Sequence, residues 1–477
     1  MSRSILALAV AVLPAAGAAG QTDEPIARDQ VLAAARGAVR FYREKVSAEG
    51  GYLWRYSADL SRREGEGKAK PTTVWVQPPG TPAVGQAILE AYQATGDKLF
   101  LGAARDAAEA LRRGQLRSGG WTDRIEFDPQ DRRRWRYRID PPSAKKRNDS
   151  SLDDDKTQSA LRFLMRLDQA TAFRDETVHE VAAFALSGLL RAQYPSGAFP
   201  QVWDEPHDPG RHPVRRASYP AQWTRTYTGH REYWYRYTIN DGVVSDVIET
   251  LFLAHEIYGR AEYRAAAIRA ADFLLLAQMP EPQPAWAQQY GFDMHPIWAR
   301  KFEPPAVTGG ESQGVMRTLL DVYRRTNDKK YLDAVASALA YLQRSKLADG
   351  RLARFYELKT NRPLYFTRDY KLSYDDDDLP THYGFKVASG LGKIAAELSR
   401  LRAASQPTRP APRPHVSRAQ AAEVRRVIDA MDPRGAWVED GRLKYHGKTD
   451  DTRRIIDSRT FIRHLGVLVR FLAATKP

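Results

Sequence analysis

Apolar residues recur at helical spacing in pairs of stretches along most of the chain. Leu161, Leu164 and Met165 fall on one face of a 3.6-residue period, and Ile248, Leu251, Phe252 and His255 on another. Read this way, the sequence predicts four helical hairpins. They are Ala83–Thr95 with Phe100–Gly114, Thr157–Ala172 with Thr177–Ala192, Val243–Tyr258 with Tyr263–Ala277, and Gln313–Thr326 with Tyr331–Leu342. Each second helix ends on a glutamine and a turn: Gln115, Gln193, Gln278 and Gln343, separated by 78, 85 and 65 residues. The polar joints TGDKL, FRDET, YGRAE and TNDKK each carry an acidic or Asn residue where it can cap the next helix. Further helices are predicted over Phe385–Leu401, Ser417–Met431 and Thr460–Ala474.

One hairpin cannot bury its own apolar face, so stacked hairpins must close into a ring or wind as a solenoid. The number of pairs predicts an all-α fold, an α/α toroid, with long loops gathered at one end. Those loops, Trp121–Ser151, Tyr194–Asp241, Met279–Ser312 and Gly350–Tyr383, lack periodicity and are where function is expected. The expected organisation is a single toroid over 21–477. It divides into an N-terminal hairpin region at 21–150, a core at 151–402, and a proline-rich strap with C-terminal helices at 403–477. The sequence is compatible with a first hairpin that joins the ring and with one that caps it.

Composition narrows the partner. The chain carries a net charge of +15, a field that concentrates polyanions. A short basic start, Met1–Arg3, precedes an apolar run from Ile5 to Ala19 that ends in small residues. This reads as a signal peptide over 1–20 rather than a membrane span. Export to the periplasm or beyond makes nucleic acid an improbable partner and an acidic polysaccharide a suitable one, acted on by a monomer with no membrane span. With no cysteine, disulfides, thiolate ligands and a Cys nucleophile are excluded.

The loops supply candidate chemistry. Asn240 and Asp241 stand at the start of a helix, where Asp241 is a helix cap, a ligand for a hard cation, or both. The third loop sets Trp286, Tyr290 and Trp298 beside Arg300, Lys301 and Glu303, a combination suited to stacking a sugar and gripping its carboxylate. It is equally what an ordered loop packed on its own aromatics looks like. The fourth loop crowds Arg351, Arg354, Arg362 and Arg368 with Tyr356 and Tyr365, and Asp375–Asp378 reads as a solvated acidic run. The basic stretch Arg132–Arg138 is a polyanion groove or an exposed strap.

These loops resemble the pectate lyases of polysaccharide lyase family 10, the pectic acid lyases. The similar segments are SLDDDKTQSALRFL, LLRAQYPSGAFPQVW, YTINDGVVSDV, QPAWAQQY, WARKFEPPAVTGGES and ARFYELKTNRPLYFTRD, in the family's order between about Ser151 and Asp369. The resemblance implies an α/α toroid that cleaves pectate by β-elimination, with calcium in the complex and an arginine as base. By it, Asp241 with Asn240 would hold calcium. The base would be Arg354, then Arg362, then Arg368, with His230 and Tyr233 as alternatives. Trp286, Tyr290, Arg300, Lys301, Glu303, Arg236 and Tyr235 would bind the sugar acid. The chain departs from the family pattern at Ala198-Phe199, at Gly242 and at Gly291. Three other readings compete: a glycoside hydrolase using two of Asp154, Asp155, Asp241, Glu303 and Glu311; a terpene cyclase-like toroid, from the Gln115…Trp121 pattern; and a glycan-binding protein without turnover.

Overall fold

The computed structural model describes residues 26–141, 147–205, 212–227, 229, 232–403 and 416–475. The signal peptide predicted over 1–20, the strap prolines Pro407–Pro414 and His230 all lie outside these residues.

The helices are α1 (Arg28–Phe41), α2 (Thr81–Thr95), α3 (Lys98–Gly114), α4 (Pro129–Arg132), α5 (Lys156–Ala170), α6 (Glu176–Ala192), α7 (Val243–Tyr258), α8 (Ala261–Ala277), α9 (Gly310–Thr326), α10 (Lys330–Arg344), α11 (Leu391–Ala403), α12 (Arg418–Asp429) and α13 (Ser458–Ala474). All four predicted hairpins form, each helix starting within three residues of its expected position. The periodicity did not disclose α1, whose alanine-rich face packs on α13.

The tertiary order is that of an α/α toroid. An inner row runs α13, α2, α5, α7, α9, α11, each helix packed on the next, with α3, α6, α8 and α10 outside as hairpin partners. Because α2 touches both α13 and α5, the first hairpin is a full member of the ring rather than a cap over it. No helix among the described residues is long and apolar enough to cross a membrane.

The marker glutamines explain why the repeat persists. Gln115 Nε2 donates to Gly119 O in its own turn and to Val181 O in α6, both at 3.0 Å. Gln193 does the same to Gly197 O and Ala266 O, and Gln278 to Pro284 O and Ala334 O. Each glutamine therefore ties one hairpin's turn to the next outer helix. Gln343 is exposed and shows no such clamp. The capping expectation holds at two joints, where Asp97 accepts from Leu99 N and Asp175 from Val178 N; at a third, Asp328 accepts from Lys330 N although Lys329 is the N-cap of α10. At the fourth, Arg260 stands at the N-cap of α8 and offers no side-chain cap.

The long loops gather at one end, stitched by short antiparallel strand pairs: Thr73–Trp75 with Arg124–Glu126, Ser150–Ser151 with Val202–Trp203, and Tyr237–Thr238 with Gln289–Tyr290. A four-stranded sheet orders Leu372–Ser373, Pro363–Phe366, Phe355–Glu357 and Ala306–Thr308. At the other junction Arg55–Ser57 pairs with Arg454–Asp457, tying the chain's two ends together.

The basic stretch is a pinned strap rather than an open groove. Arg132 is held by Asp140 and by the carbonyls of Glu126 and Arg113, and Arg138 pairs with Glu180.

Candidate active site

Two inner helices start from turns of the same shape. Before α5 the backbone turns left-handed at Asp154 (φ 48°) and Asp155 (φ 60°); before α7 it does so at Asp241 (φ 51°) and Gly242 (φ 74°). Asp154 and Asp241 are thus equivalent positions in successive repeats, and the two turns touch. Gly242 is required where it stands. Its φ is left-handed, and a Cβ there would lie 2.9 Å from an Asp246 carboxylate oxygen.

The consequence is an acidic cluster. Asp153, Asp154 and Asp241 each bring a carboxylate oxygen within 4.8 Å of the others. Asp241 is not the cap that one reading assigned: α7 has no side-chain cap, and the Asp241 carboxylate accepts instead from Asn240 Nδ2 at 2.8 Å. Crowding by protein, then the charges of Asp153 and Asp154, push its pKa up to about 7, against the pull of Arg300. Asp154 is raised as well, by burial and then by Asp153. Behind them Asp155 is bound by Arg162, which also donates to Thr250 Oγ1.

The donor set suits a hard divalent cation. All the acidic ligands are oxygens, and Asn240 Oδ1, Gln288 Oε1 and Glu311 Oε2 are buried atoms without a hydrogen-bond partner. Asp241, Asp153, Asp154 and Asn240 are the residues that could hold it.

A cationic wall faces the cluster. Arg300 is gripped by the buried Glu303, its Nε 2.7 Å from Oε2, and this raises its pKa further. Arg354 lies between two backbone anchors: its N–H donates to Phe385 O at 2.8 Å and its carbonyl accepts from Gly309 N at 3.0 Å. Its guanidinium donates to Gly384 O at 2.6 Å and to Glu311 Oε1 at 3.1 Å, and stacks 4.5 Å from the Tyr383 ring. Tyr383 links the two arginines, donating to Glu303 Oε1 at 3.0 Å while 3.4 Å from Arg354 Nη1. Burial and Glu303 keep that phenol protonated. The wall reaches the acidic cluster through Gln288. Its carbonyl accepts from Asn240 N at 3.0 Å, and its amide donates to Glu311 Oε1 at 2.9 Å.

Of the three candidate bases, only Arg354 is joined to the acidic cluster by such a chain of contacts. Arg362 is exposed and stacks 3.5 Å from the Tyr374 ring, in a group with Glu357 and Arg225. Arg368 is exposed and pairs with Asp378 at 3.2 Å. The acidic run is accordingly not free, since Asp376 also pairs with Lys386.

The substrate-binding set divides. Arg300 and Glu303 are in the site. Lys301 is exposed over Tyr370, Arg236 lies 4.4 Å from Phe292, and Tyr235 donates to Asp149 at 3.2 Å. Trp286 and Tyr290 offer no stacking face at all, since both are fully buried. They correct the sequence reading, and the repeat supplies the reason. Trp286 Nε1 donates to Leu274 O in its outer helix, as Trp121 does to Leu111 O and Trp437 to Val427 O. Tyr290 OH accepts from Ala287 N, as Tyr356 does from Ala353 N and Tyr56 from Leu53 N. These aromatics are scaffold. Replacing Trp286 by Ala is expected to cost about 3–5 kcal/mol of stability through the cavity it leaves. Thermal unfolding of the variant against wild type checks this; an unchanged midpoint with weakened substrate binding would restore the platform reading.

The sequence reading places Asp154 and Glu311 only among the carboxylates of the competing hydrolase, and gives Asp153, Gln288 and Tyr383 no lyase role. Asp154 was within reach, because aligning SLDDDKT with TINDGVV on their helix starts superposes it on Asp241. Nothing local marks Tyr383, which arrives from a loop 80 residues beyond Glu303.

The pectic acid lyase family model matches residues 130–353. Among solved structures, a family 10 polysaccharide lyase from Cellvibrio cellulosa, solved as a mutant in complex with trigalacturonic acid, is 18% identical with a TM-score of 0.46, over 67% of this chain and 98% of that one. A cellobiose 2-epimerase from Bacillus thermoamylovorans is 11% identical with a TM-score of 0.45, over 93% and 98%. No curated protein matches the chain. The span matched by the family model holds Asp153, Asp154, Asp241, Arg300, Glu303 and Glu311 and ends one residue before Arg354. Over residues 130–353 the chain is thus similar to the pectic acid lyases, the family whose motifs its sequence resembles.

Proposed function

We propose that the chain is an exported enzyme that cleaves polygalacturonate, or a closely related uronate polymer, by calcium-assisted β-elimination with Arg354 as the base. The observation that carries this reading is the meeting of the Asp153–Asp154–Asp241 cluster with the Arg300–Tyr383–Arg354 wall at the ring's loop end.

Elimination takes the proton on C5 of the uronate and expels the oxygen on C4, leaving a C4–C5 double bond. The C5 proton is only weakly acidic, so the charge that spreads onto the adjacent carboxylate must be stabilised as it develops. Calcium held by Asp241, Asp153, Asp154 and Asn240 would supply a positive charge for that carboxylate. Arg300 is fixed as a permanent cation by Glu303 and serves as a carboxylate grip, not as a base.

Arg354 is differently placed. Glu311 bonds it through a single oxygen that Gln288 shares, so its pairing is the weaker of the two. As Arg354 accepts the C5 proton on one nitrogen, it can pass the proton of Nη1 to Glu311. A neutral guanidine, costly for so strong a base, is then never free in the ground state. The C5–H electron pair forms the double bond, and the departing C4 oxygen takes a proton from water. Tyr383 keeps its own proton and orients both arginines.

Incubation with polygalacturonate, with and without a chelator, tests the reading. Rising ultraviolet absorbance of unsaturated product that the chelator abolishes is the expected result. Chain shortening without that absorbance would mean hydrolysis, and binding without shortening a lectin-like role.

A further inference from the structure

The family model begins at residue 130, yet a side chain from well before it reaches the acidic cluster. Gln77 follows the strand Thr73–Trp75 and precedes α2. Its Nε2 donates to Asp154 Oδ2 at 2.9 Å. The residue is only 7% exposed, and its Oε1 is buried without any hydrogen-bond partner. A buried amide with half its capacity unused is costly, and cores rarely retain one without a reason. The backbone holds it in place. The Gln77 carbonyl accepts from Trp54 Nε1 at 2.8 Å and from Gly80 N at 3.0 Å, and Val76 N donates to Asp123 O.

We propose that Gln77 is a positioning residue of the cation site: the N-terminal hairpin supplies the amide that fixes Asp154 in the orientation it needs to share a divalent cation with Asp153 and Asp241. The inference rests on the calcium site named above, not on the elimination chemistry. Three carboxylates that repel one another will splay unless something holds them. Asp241 has Asn240 Nδ2 for this, Asp153 has Lys156 Nζ at 3.0 Å, and Asp154 has Gln77. Partners behind a ligand are worth about 10- to 100-fold in metal affinity. The first hairpin is then part of the site as well as of the ring. Residues 130–353 lack one of the three supports.

Calorimetric titration of the full chain with calcium chloride tests this. Gln77→Leu keeps the volume and removes the amide. It is expected to bind calcium at least tenfold more weakly than wild type. Its elimination rate at saturating calcium should return to the wild-type value, because Gln77 holds a ligand rather than touching substrate. If Gln77→Leu does not fold, Gln77→Asn replaces it: its amide stops short of Asp154, and the same loss is expected. A folded variant that binds calcium as tightly as wild type overturns the inference, and so does a wild-type chain that binds none. If wild type and variant differ in calcium affinity while neither makes unsaturated product, the inference stands and the elimination reading falls.

Discussion

Arg354→Ala is expected to lower turnover on polygalacturonate by about 10²- to 10⁴-fold, the range that loss of a positioned general base costs. Substrate affinity should change little, since Arg300 and the cation cluster are untouched. Several fixed contacts set this residue apart: the anchors to Phe385 and Gly309, the hydrogen bond to Gly384 O, and the link to Glu311. Arg354→Lys should not rescue activity. A lysine is a compact point charge on a flexible stem and cannot meet Gly384 O, Glu311 and the Tyr383 ring together. Arg362→Ala and Arg368→Ala serve as controls. Both side chains are exposed and joined to other groups, so each variant should keep nearly full activity. The measurement is the initial rate of ultraviolet absorbance at saturating calcium. A loss confined to Arg362→Ala would move the base to the Tyr374 group and refute the assignment.

Asp241→Asn should act in two opposite directions. Calcium affinity falls by more than the 10- to 100-fold typical of a supporting partner, because a ligand charge itself is lost. The metal-free chain becomes more stable, because the like-charge contact with Asp153 and Asp154 is relieved. The pH dependence follows from the same crowding. With its pKa raised to about 7, Asp241 keeps its proton in the folded state at pH values where the unfolded chain has lost it. The folded state then binds more protons than the unfolded one, so the stability of the metal-free chain declines as pH rises from about 4 to 7. A cation must displace that proton. Calcium affinity in wild type should therefore climb between pH 6 and 8, and the climb should flatten in Asp241→Asn. Titration calorimetry at three pH values, with thermal unfolding in chelator, reads both effects. A variant that binds calcium with wild-type affinity would remove Asp241 from the site.

The comparison of residue types within one loop shows where sequence reasoning reached its limit. Trp286 and Arg300 sit fourteen positions apart, and both suit sugar binding by chemistry alone. One is core and the other faces the acidic cluster. The copies of Trp286 in other repeats, Trp121 and Trp437, carry the signal that it is scaffold. That signal was available in the repeat but not in the local chemistry. Likewise, four arginines in one loop are equivalent on paper. Arg351 closes on Asp349, Arg368 on Asp378 and Arg362 on Tyr374, and only Arg354 has its backbone pinned beside the inner-helix starts.

The chain itself determined the helices, their pairing and the ring, because amphipathic periodicity and short capped joints are local and each hairpin needs a neighbour to cover its apolar face. It also carries motifs that resemble those of the pectic acid lyases, in order, and these point to the class of chemistry proposed. The tertiary structure decided which carboxylates converge and which arginine meets them. Asp153, Asp154 and Asp241 come from two hairpins, Gln77 from a third, and Tyr383 from a loop beyond the fourth. Their meeting depends on how far each left-handed turn rotates its side chain and on how the ring places successive helix starts side by side. Neither quantity is written in any stretch of sequence short enough to show a period.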